Sequence, residues 1–459
     1  MSANNSDSQT SQLTLGTNPI GDLLMQYSVP AIIAAVATSL YNIIDSIFIG
    51  RGVGSMAIAG LAITFPLMNL VIGFCTVIAA GGSTISSIFL GQKNIKRATD
   101  TTNNVLSLCI IHSIVVGGTF LLFLDPILRL FGATDQTIPY AREFMEIILY
   151  GTPISYVFIG LNNVMRATGY PRKAMGTALV SVAVNIVLAP ICIFVLEWGI
   201  RGAAIATIGG QLIAGCLVVH HFISRKSFVH FERQAHWLAW NFVKRIYAIG
   251  LSPLLMNTTA CFVVVFLNKS LLDVAGTAGD TAVGAYGIIN RTAMFFVMIV
   301  FGVTQGMQPI LGYNYGARNL DRVRDTLNKG IWIGFLITTI GWTIIMLAPD
   351  FISKLFTTDE LMISIARNGF RISCFVIPVI GIQLIIQNYF QSIGQPKISI
   401  LLSLTRQLIF LVPLLYILPK FFDINGVWGA MACSDMLAAI MAVVTLIIMN
   451  RRLNNSSYK

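Results

Sequence analysis

Apolar residues run along the chain in long blocks rather than in alternation, and Gly, Pro and short charged clusters punctuate the blocks. Windows such as Ile333–Leu347 and Leu437–Met449 are nearly free of charge, which is what a helix needs to cross about 30 Å of hydrocarbon. Reading blocks against punctuation predicts helices over 23–50, 57–89, 95–124, 138–167, 172–196, 200–223, 243–272, 281–313, 320–348, 361–392, 397–419 and 427–450. The predicted fold class is an all-α membrane protein of about twelve transmembrane helices.

Composition agrees with embedding in a bilayer. Hydrophobic residues make up 55% of the chain and charged residues only 11%, whereas a soluble domain carries about a quarter charged residues. The formal net charge of +11 raises the question of a polyanionic partner. Its basic residues are dispersed through short loops instead of clustered on a domain, so no nucleic-acid partner is expected. The cysteines Cys75, Cys109, Cys192, Cys216, Cys261, Cys374 and Cys433 all sit inside apolar segments with no paired spacing. They read as small hydrophobes, not as disulfides or metal ligands. Residues 1–22 are polar and lack the basic and apolar regions of a cleaved signal, so they are expected to form a disordered tail ahead of the first helix.

Loop charge sets the orientation. Loops after the even-numbered helices carry Lys93, Lys96 and Arg97, then Arg166, Arg172 and Lys173, then Arg225, Lys226, Arg233, Lys244 and Arg245, and further groups around Arg318, Lys397 and Arg451. Odd-numbered loops carry only Arg51, Arg129, Arg142, Arg201, Lys269, Lys354 and Lys420. By the positive-inside rule both termini are expected in the cytoplasm of a multi-pass protein of the cell membrane.

The chain also repeats itself. At an offset of 225 positions, Gly91-Gln92-Lys93-Asn94 aligns with Gly316-Ala317-Arg318-Asn319, Pro153 with Pro378, and Arg166-Ala167-Thr168-Gly169 with Gln391-Ser392-Ile393-Gly394. With small slips Pro30 aligns with Pro253 and Gly199-Ile200-Arg201-Gly202-Ala203 with Gly426-Val427-Trp428-Gly429-Ala430. The expected domains are a tail over 1–22, a six-helix lobe over 23–223, a cytoplasmic linker over 224–242, a second six-helix lobe over 243–450 and a cytoplasmic tail over 451–459. Lobes with an even number of spans share one orientation, and a path between two such lobes suits alternating access.

Ionisable residues within spans mark candidate chemistry, because a carboxylate at mid-membrane costs roughly 2.5–3.5 kcal/mol on insertion scales. Asp45 is the clearest case. Tyr41 and Asn42, four and three residues before it, share its helix face, and its repeat partner is the neutral Asn268. Charge-coupling chemistry is therefore expected in the first lobe. Asn185 and Thr207 are polar groups in apolar runs, and with Asp45 they offer one carboxylate and two neutral oxygens, a set suited to a hard monovalent cation or to a proton on a buried acid. Singly, either could serve only as helix–helix glue. In the second half, Arg406 and Asp435 are a candidate structural ion pair, while Arg291, Arg371, His112 and Glu146 stay unassigned. No zinc-type spacing, phosphate loop or nucleophile–base motif occurs, so no catalytic or metal-ligating residue is assigned.

The segments Leu40-Tyr41-Asn42-Ile43-Ile44-Asp45-Ser46, Arg166-Ala167-Thr168-Gly169, Val184-Asn185-Ile186-Val187-Leu188-Ala189-Pro190 and Gly202-Ala203-Ala204-Ile205-Ala206-Thr207 resemble the multidrug and toxic compound extrusion (MATE) family, in its bacterial multidrug-exporter branch. Gln308-Pro309, Gly312-Tyr313-Asn314-Tyr315-Gly316-Ala317, Gly394-Gln395-Pro396 and Ser403-Leu404-Thr405-Arg406-Gln407 extend the likeness over essentially the whole chain. The resemblance implies an antiporter, not an enzyme, that exports bulky and often cationic amphiphiles in exchange for H+ or Na+. No other cofactor and a monomeric state are expected. It also implies an ion-coupling site at Asp45, Asn185 and Thr207, with Tyr41, Asn42 and Asn163 as substrate-binding candidates. One departure stands out: where the family pattern has an acid before Pro190, this chain has Ala189. That removes one anionic ligand and shifts the balance from a tight sodium site toward a proton on a single acid. A flippase for a lipid-linked sugar or another lipid anion is the competing transporter, and it would use Arg291, Arg371 and Arg406.

Overall fold

The structure is a computed structural model that describes residues 14–224, 227–232 and 237–456. Its helices are α1 (Ile20–Gly52), α2 (Ser55–Gly91), α3 (Ile95–Leu122), α4 (Leu124–Leu130), α5 (Ile138–Tyr150), α6 (Thr152–Ala167), α7 (Pro171–Pro190), α8 (Gly199–Ile223) and α9 (Trp240–Ala275). There follow α10 (Gly279–Gly316), α11 (Leu320–Leu347), α12 (Pro349–Lys354), α13 (Glu360–Ser373), α14 (Ile377–Ser392), α15 (Pro396–Leu404), α16 (Val412–Ile417) and α17 (Pro419–Ser456). Among the described residues no strand occurs, as a bilayer demands of an open chain whose backbone groups must be satisfied internally.

Among the described residues ten helical stretches are long and apolar enough to cross a membrane, or eleven when α5 and α6 count as one bent span. One of these stretches, Trp240–Gly316, is 77 residues long and holds both α9 and α10, separated by the turn Gly276–Ala278. Each of the two is long enough to span alone at 1.5 Å per residue, which brings the total to twelve.

Prolines explain where the observed elements depart from the predicted ones. The helix expected over 138–167 is broken after Tyr150, and its halves meet at 56°. Pro153, next to the break, donates no backbone hydrogen bond and its ring crowds the preceding turn. At the matched Pro378 the helix expected over 361–392 is likewise interrupted, by a 3₁₀ turn at Cys374–Val376. The helices expected over 172–196 and 397–419 each contain a π-helical stretch, Ile191–Val195 after Pro190 and Thr405–Leu411 before Pro413. Paired positive-φ residues mark equivalent turns as well: Lys93 at 56° and Arg318 at 60°, Gly169 at 103° and Gly394 at 74°. The repeat read from sequence is therefore also a repeat of local backbone geometry.

Compactness divides the chain differently from the repeat. One unit comprises Met1–Asn257, Gln305–Val323 and Ser392–Gly394, and the other Thr258–Thr304, Arg324–Gln391 and Gln395–Lys459. The first unit thus includes the opening half of α9 and the closing turns of α10. Close backbone packing accounts for this, since a Cβ on Gly250 of α9 would lie 1.9 Å from the Val77 carbonyl oxygen of α2. Gln308 of α10 adds polar contacts, its Nε2 donating to Ser83 Oγ at 2.8 Å and to Thr84 Oγ1 at 2.7 Å. Within this unit α2 packs on α3, α5 and α6, and α1 packs on α7.

The N-terminal tail expected over 1–22 is corrected in part. Residues 1–13 lie outside those described, but Thr14–Thr17 form a helical turn, Leu15 is buried and α1 begins at Ile20. Asn314 Nδ2 donates to the Leu15 carbonyl at 3.1 Å and Arg322 Nη2 to the Asn18 carbonyl at 2.6 Å, so long-range donors hold a segment whose own composition is polar. The linker expected over 224–242 is also tied down where it is described. Asn103 Nδ2 donates to the Glu232 carbonyl at 2.8 Å, and Asn104 Oδ1 accepts from the Ala239 amide at 2.8 Å. The tail expected over 451–459 continues α17 to Ser456, and its last residues lie outside those described.

Candidate ion-coupling site

Three helices of the first unit supply the predicted residues: α1 carries Asp45, α7 Asn185 and α8 Thr207. Helix α7 packs against both α1 and α8. Close approach of α7 and α8 depends on Gly210, where a Cβ would lie 2.5 Å from the Ser181 carbonyl oxygen, the small-residue contact typical of helices in lipid. That approach lets Asn185 Nδ2 donate to Thr207 Oγ1 at 3.1 Å, while the Thr207 hydroxyl donates to the Ala203 carbonyl at 3.1 Å. Both side chains are buried. The pairing also leaves the Asn185 carbonyl oxygen free of the Thr207 proton.

Asp45 is only 8% exposed, and its Oδ1 is buried with no hydrogen-bond partner. A buried polar oxygen left unpaired costs about 1–3 kcal/mol, more if it is ionised. The equivalent oxygen of the repeat, Asn268 Oδ1, is buried and unpartnered as well. The fold thus makes the same polar niche twice and places a titratable group in one of them. Tyr41 is half-buried beside Asp45, whereas Asn42 is exposed.

Asn163 turns out to be engaged at both ends of its amide. Its Nδ2 donates to the Ile159 carbonyl at 2.8 Å, and its Oδ1 accepts from Arg166 Nη2. Arg166 is 8% exposed and its Nη1 donates to Gln305 Oε1. In this structure Asn163 therefore holds a buried arginine whose partners are neutral amides.

In the second unit, Arg406 Nε meets Asp435 Oδ1 at 2.6 Å, with side-chain exposures of 32% and 9%. Arg406 stands in the π-helical stretch Thr405–Leu411, and Asp435 on α17. Arg291 and Arg371 are exposed. Glu146 is half-buried on α5. His112, unassigned in sequence, lies inside an aromatic cluster. Its ring centroid is 5.8 Å from that of Phe74, 6.1 Å from Tyr156 and 5.6 Å from Tyr247, and its Nδ1 is 3.2 Å from the Tyr247 hydroxyl. Neither this cluster nor the Arg166 network was legible in sequence, since their members stand 135 and 139 positions apart. Among the described residues no group of three or more His, Cys, Asp or Glu is arranged to hold a metal ion.

Comparison with known proteins places this geometry. The MatE family model matches residues 30–191 and 257–417. The multidrug export protein MepA of Staphylococcus haemolyticus is 26% identical over 434 residues, covering 94% of each chain. MepA of Staphylococcus aureus strain NCTC 8325 is 24% identical over 436 residues, 95% of each. Among solved structures, a MATE protein in the bent conformation superposes with a TM-score of 0.91 at 23% identity over 98% of this chain and 99% of that one. A MOP-superfamily transporter of Pyrococcus furiosus, described as having a binding pocket of reverse polarity, gives 0.90 at 23% identity over 96% and 98%.

Proposed function

Because the chain belongs to the MatE family of multidrug efflux transporters, we propose that it exports bulky amphiphilic, often cationic compounds in exchange for a proton or a sodium ion. The carrying observation is the unpaired, buried Oδ1 of Asp45. An ionised carboxylate there keeps one buried oxygen without a protein partner, so proton or cation uptake is worth most in whichever conformation keeps it dry. A ligand shifts a conformational equilibrium only by its differential affinity for the two states. Asp45 supplies that difference, and Asn185 and Thr207 offer neutral oxygens to an ion bound beside it.

Asn185, Thr207 and Ala189 carry no charge, so Asp45 is the one acid of this set. That supports a single exchanged charge and favours a proton over tightly held sodium. Tyr41 and Asn42 border the site on α1 and are proposed to meet the substrate, with Asn163 acting through Arg166. Alternating access proceeds by rocking of the repeated halves, with both termini in the cytoplasm as the loop charges require, and the working unit is a monomer. The flippase alternative would need free cations. Arg406 is neutralised by Asp435, which leaves it Arg291 and Arg371.

Efflux of a cationic dye from proteoliposomes under separately imposed proton and sodium gradients tests the proposal. Uphill export under one gradient supports it. Gradient-independent movement of a lipid-linked anion, with no dye export, would replace it by the flippase.

A further inference from the structure

We infer that a cluster around Phe89 at the basic end of the first unit is a binding site for the headgroup of an anionic phospholipid. Phe89 lies two residues before the end of α2 and is 3% exposed. Two guanidinium groups converge on its ring: Arg97 from the first turn of α3, 5.7 Å from the centroid, and Arg245 from the second turn of α9, 5.3 Å from it. Phe242 of α9 packs edge-on to the same ring at 6.0 Å.

Two cations drawn to one ring repel each other, and the ring quadrupole offsets that by only about 0.5–1 kcal/mol per contact at exposed sites. Among the described residues neither arginine forms an ion pair. Both are exposed, so an anion from outside the chain can reach and balance them. The starts of α3 and α9 add positive N-terminal ends beside the cluster and the end of α2 subtracts a negative one, so the two guanidinium groups carry most of the local charge. The Asn94 side chain that caps α3 and Asn104, which holds the start of α9 through Ala239, fix both helix starts in place.

The apolar surroundings decide between a soluble anion and a lipid. Trp240 is 75% exposed and Leu238 58%, immediately before the arginine-bearing turn of α9. An exposed Trp and Leu at the point where three spans end fits the headgroup depth of a bilayer, where indole rings anchor. A free phosphate would gain nothing from them, whereas acyl chains would cover both. Phospholipids with net negative charge supply the phosphate and the chains together.

The test uses the full chain purified in a neutral detergent, with thermal unfolding followed on addition of phosphatidylglycerol, phosphatidylcholine, or inorganic phosphate at matched concentration. Phosphatidylglycerol is expected to raise the melting temperature by several degrees, and the other two to leave it within about one degree. The double variant Arg97→Gln/Arg245→Gln should lose most of that rise, while Lys397→Gln, an exposed basic residue of the other unit, should keep it. If the double variant fails to fold, Arg245→Gln alone should show a partial loss. An undiminished rise in the arginine variants, or an equal loss in Lys397→Gln, would overturn the site. An equal rise with inorganic phosphate would overturn the lipid as its occupant.

Discussion

Replacing Asp45 with Asn removes one negative charge and almost no volume. The repeat shows that the fold accepts an amide here, because Asn268 occupies the equivalent position with its Oδ1 buried and unpartnered like that of Asp45. The added Nδ2 carries two N–H donors, and leaving one of them unpaired would cost about 1–3 kcal/mol, so the variant should be at most modestly destabilised. The transport cost is of another order. With a single acid in the site, one-for-one exchange against a proton gradient of one pH unit supplies about 1.4 kcal/mol per cycle, which sustains a tenfold substrate gradient. Asp45→Asn should bring that ratio to unity under either imposed gradient while leaving substrate binding measurable. The assay is dye accumulation in proteoliposomes, paired with equilibrium binding by fluorescence and a melting curve. Full gradient-driven export by the variant would refute the assignment and move the search to Arg406 and Asp435.

Ala189 is fully buried and one helical turn beyond Asn185, so Ala189→Asp should add a second anionic ligand and lower the sodium concentration for half-maximal export by on the order of tenfold; an unchanged sodium response places the site elsewhere. Arg406→Gln would leave the buried Asp435 carboxylate uncompensated and should cost about 3–5 kcal/mol, whereas Asp435→Asn should cost less because Arg406 keeps 32% exposure. Equal melting temperatures for the two variants would contradict this. In a cysteine-free background, single cysteines at the exposed Lys244 and Lys354 should react with an impermeant thiol reagent from opposite sides of the membrane, with Lys244 cytoplasmic; labelling of both from one side would reject the orientation.

Much of this protein was determined by its sequence alone. Hydropathy sums along one helix at a time, and lipid imposes the same requirement on every span, so the number of spans, the repeat and the isolated acid at Asp45 could all be read without tertiary structure. Matched prolines told where the breaks would fall only in hindsight: Pro153 and Pro378 sit where α5 yields to α6 and α13 to α14, yet a proline inside an apolar run is equally compatible with a continuous kinked helix. What the tertiary structure alone decided are the polar contacts between helices, which depend on each helix's rotation and register. Asn185 reaches Thr207 because α7 and α8 close up at Gly210. Asn163 is taken up by Arg166, and Gln308 finds Ser83 and Thr84 across more than two hundred positions. The carbonyls of Leu15 and Asn18, ahead of α1, are satisfied by Asn314 and Arg322. In each case the local sequence states that a polar group must be satisfied, and packing chooses by which partner.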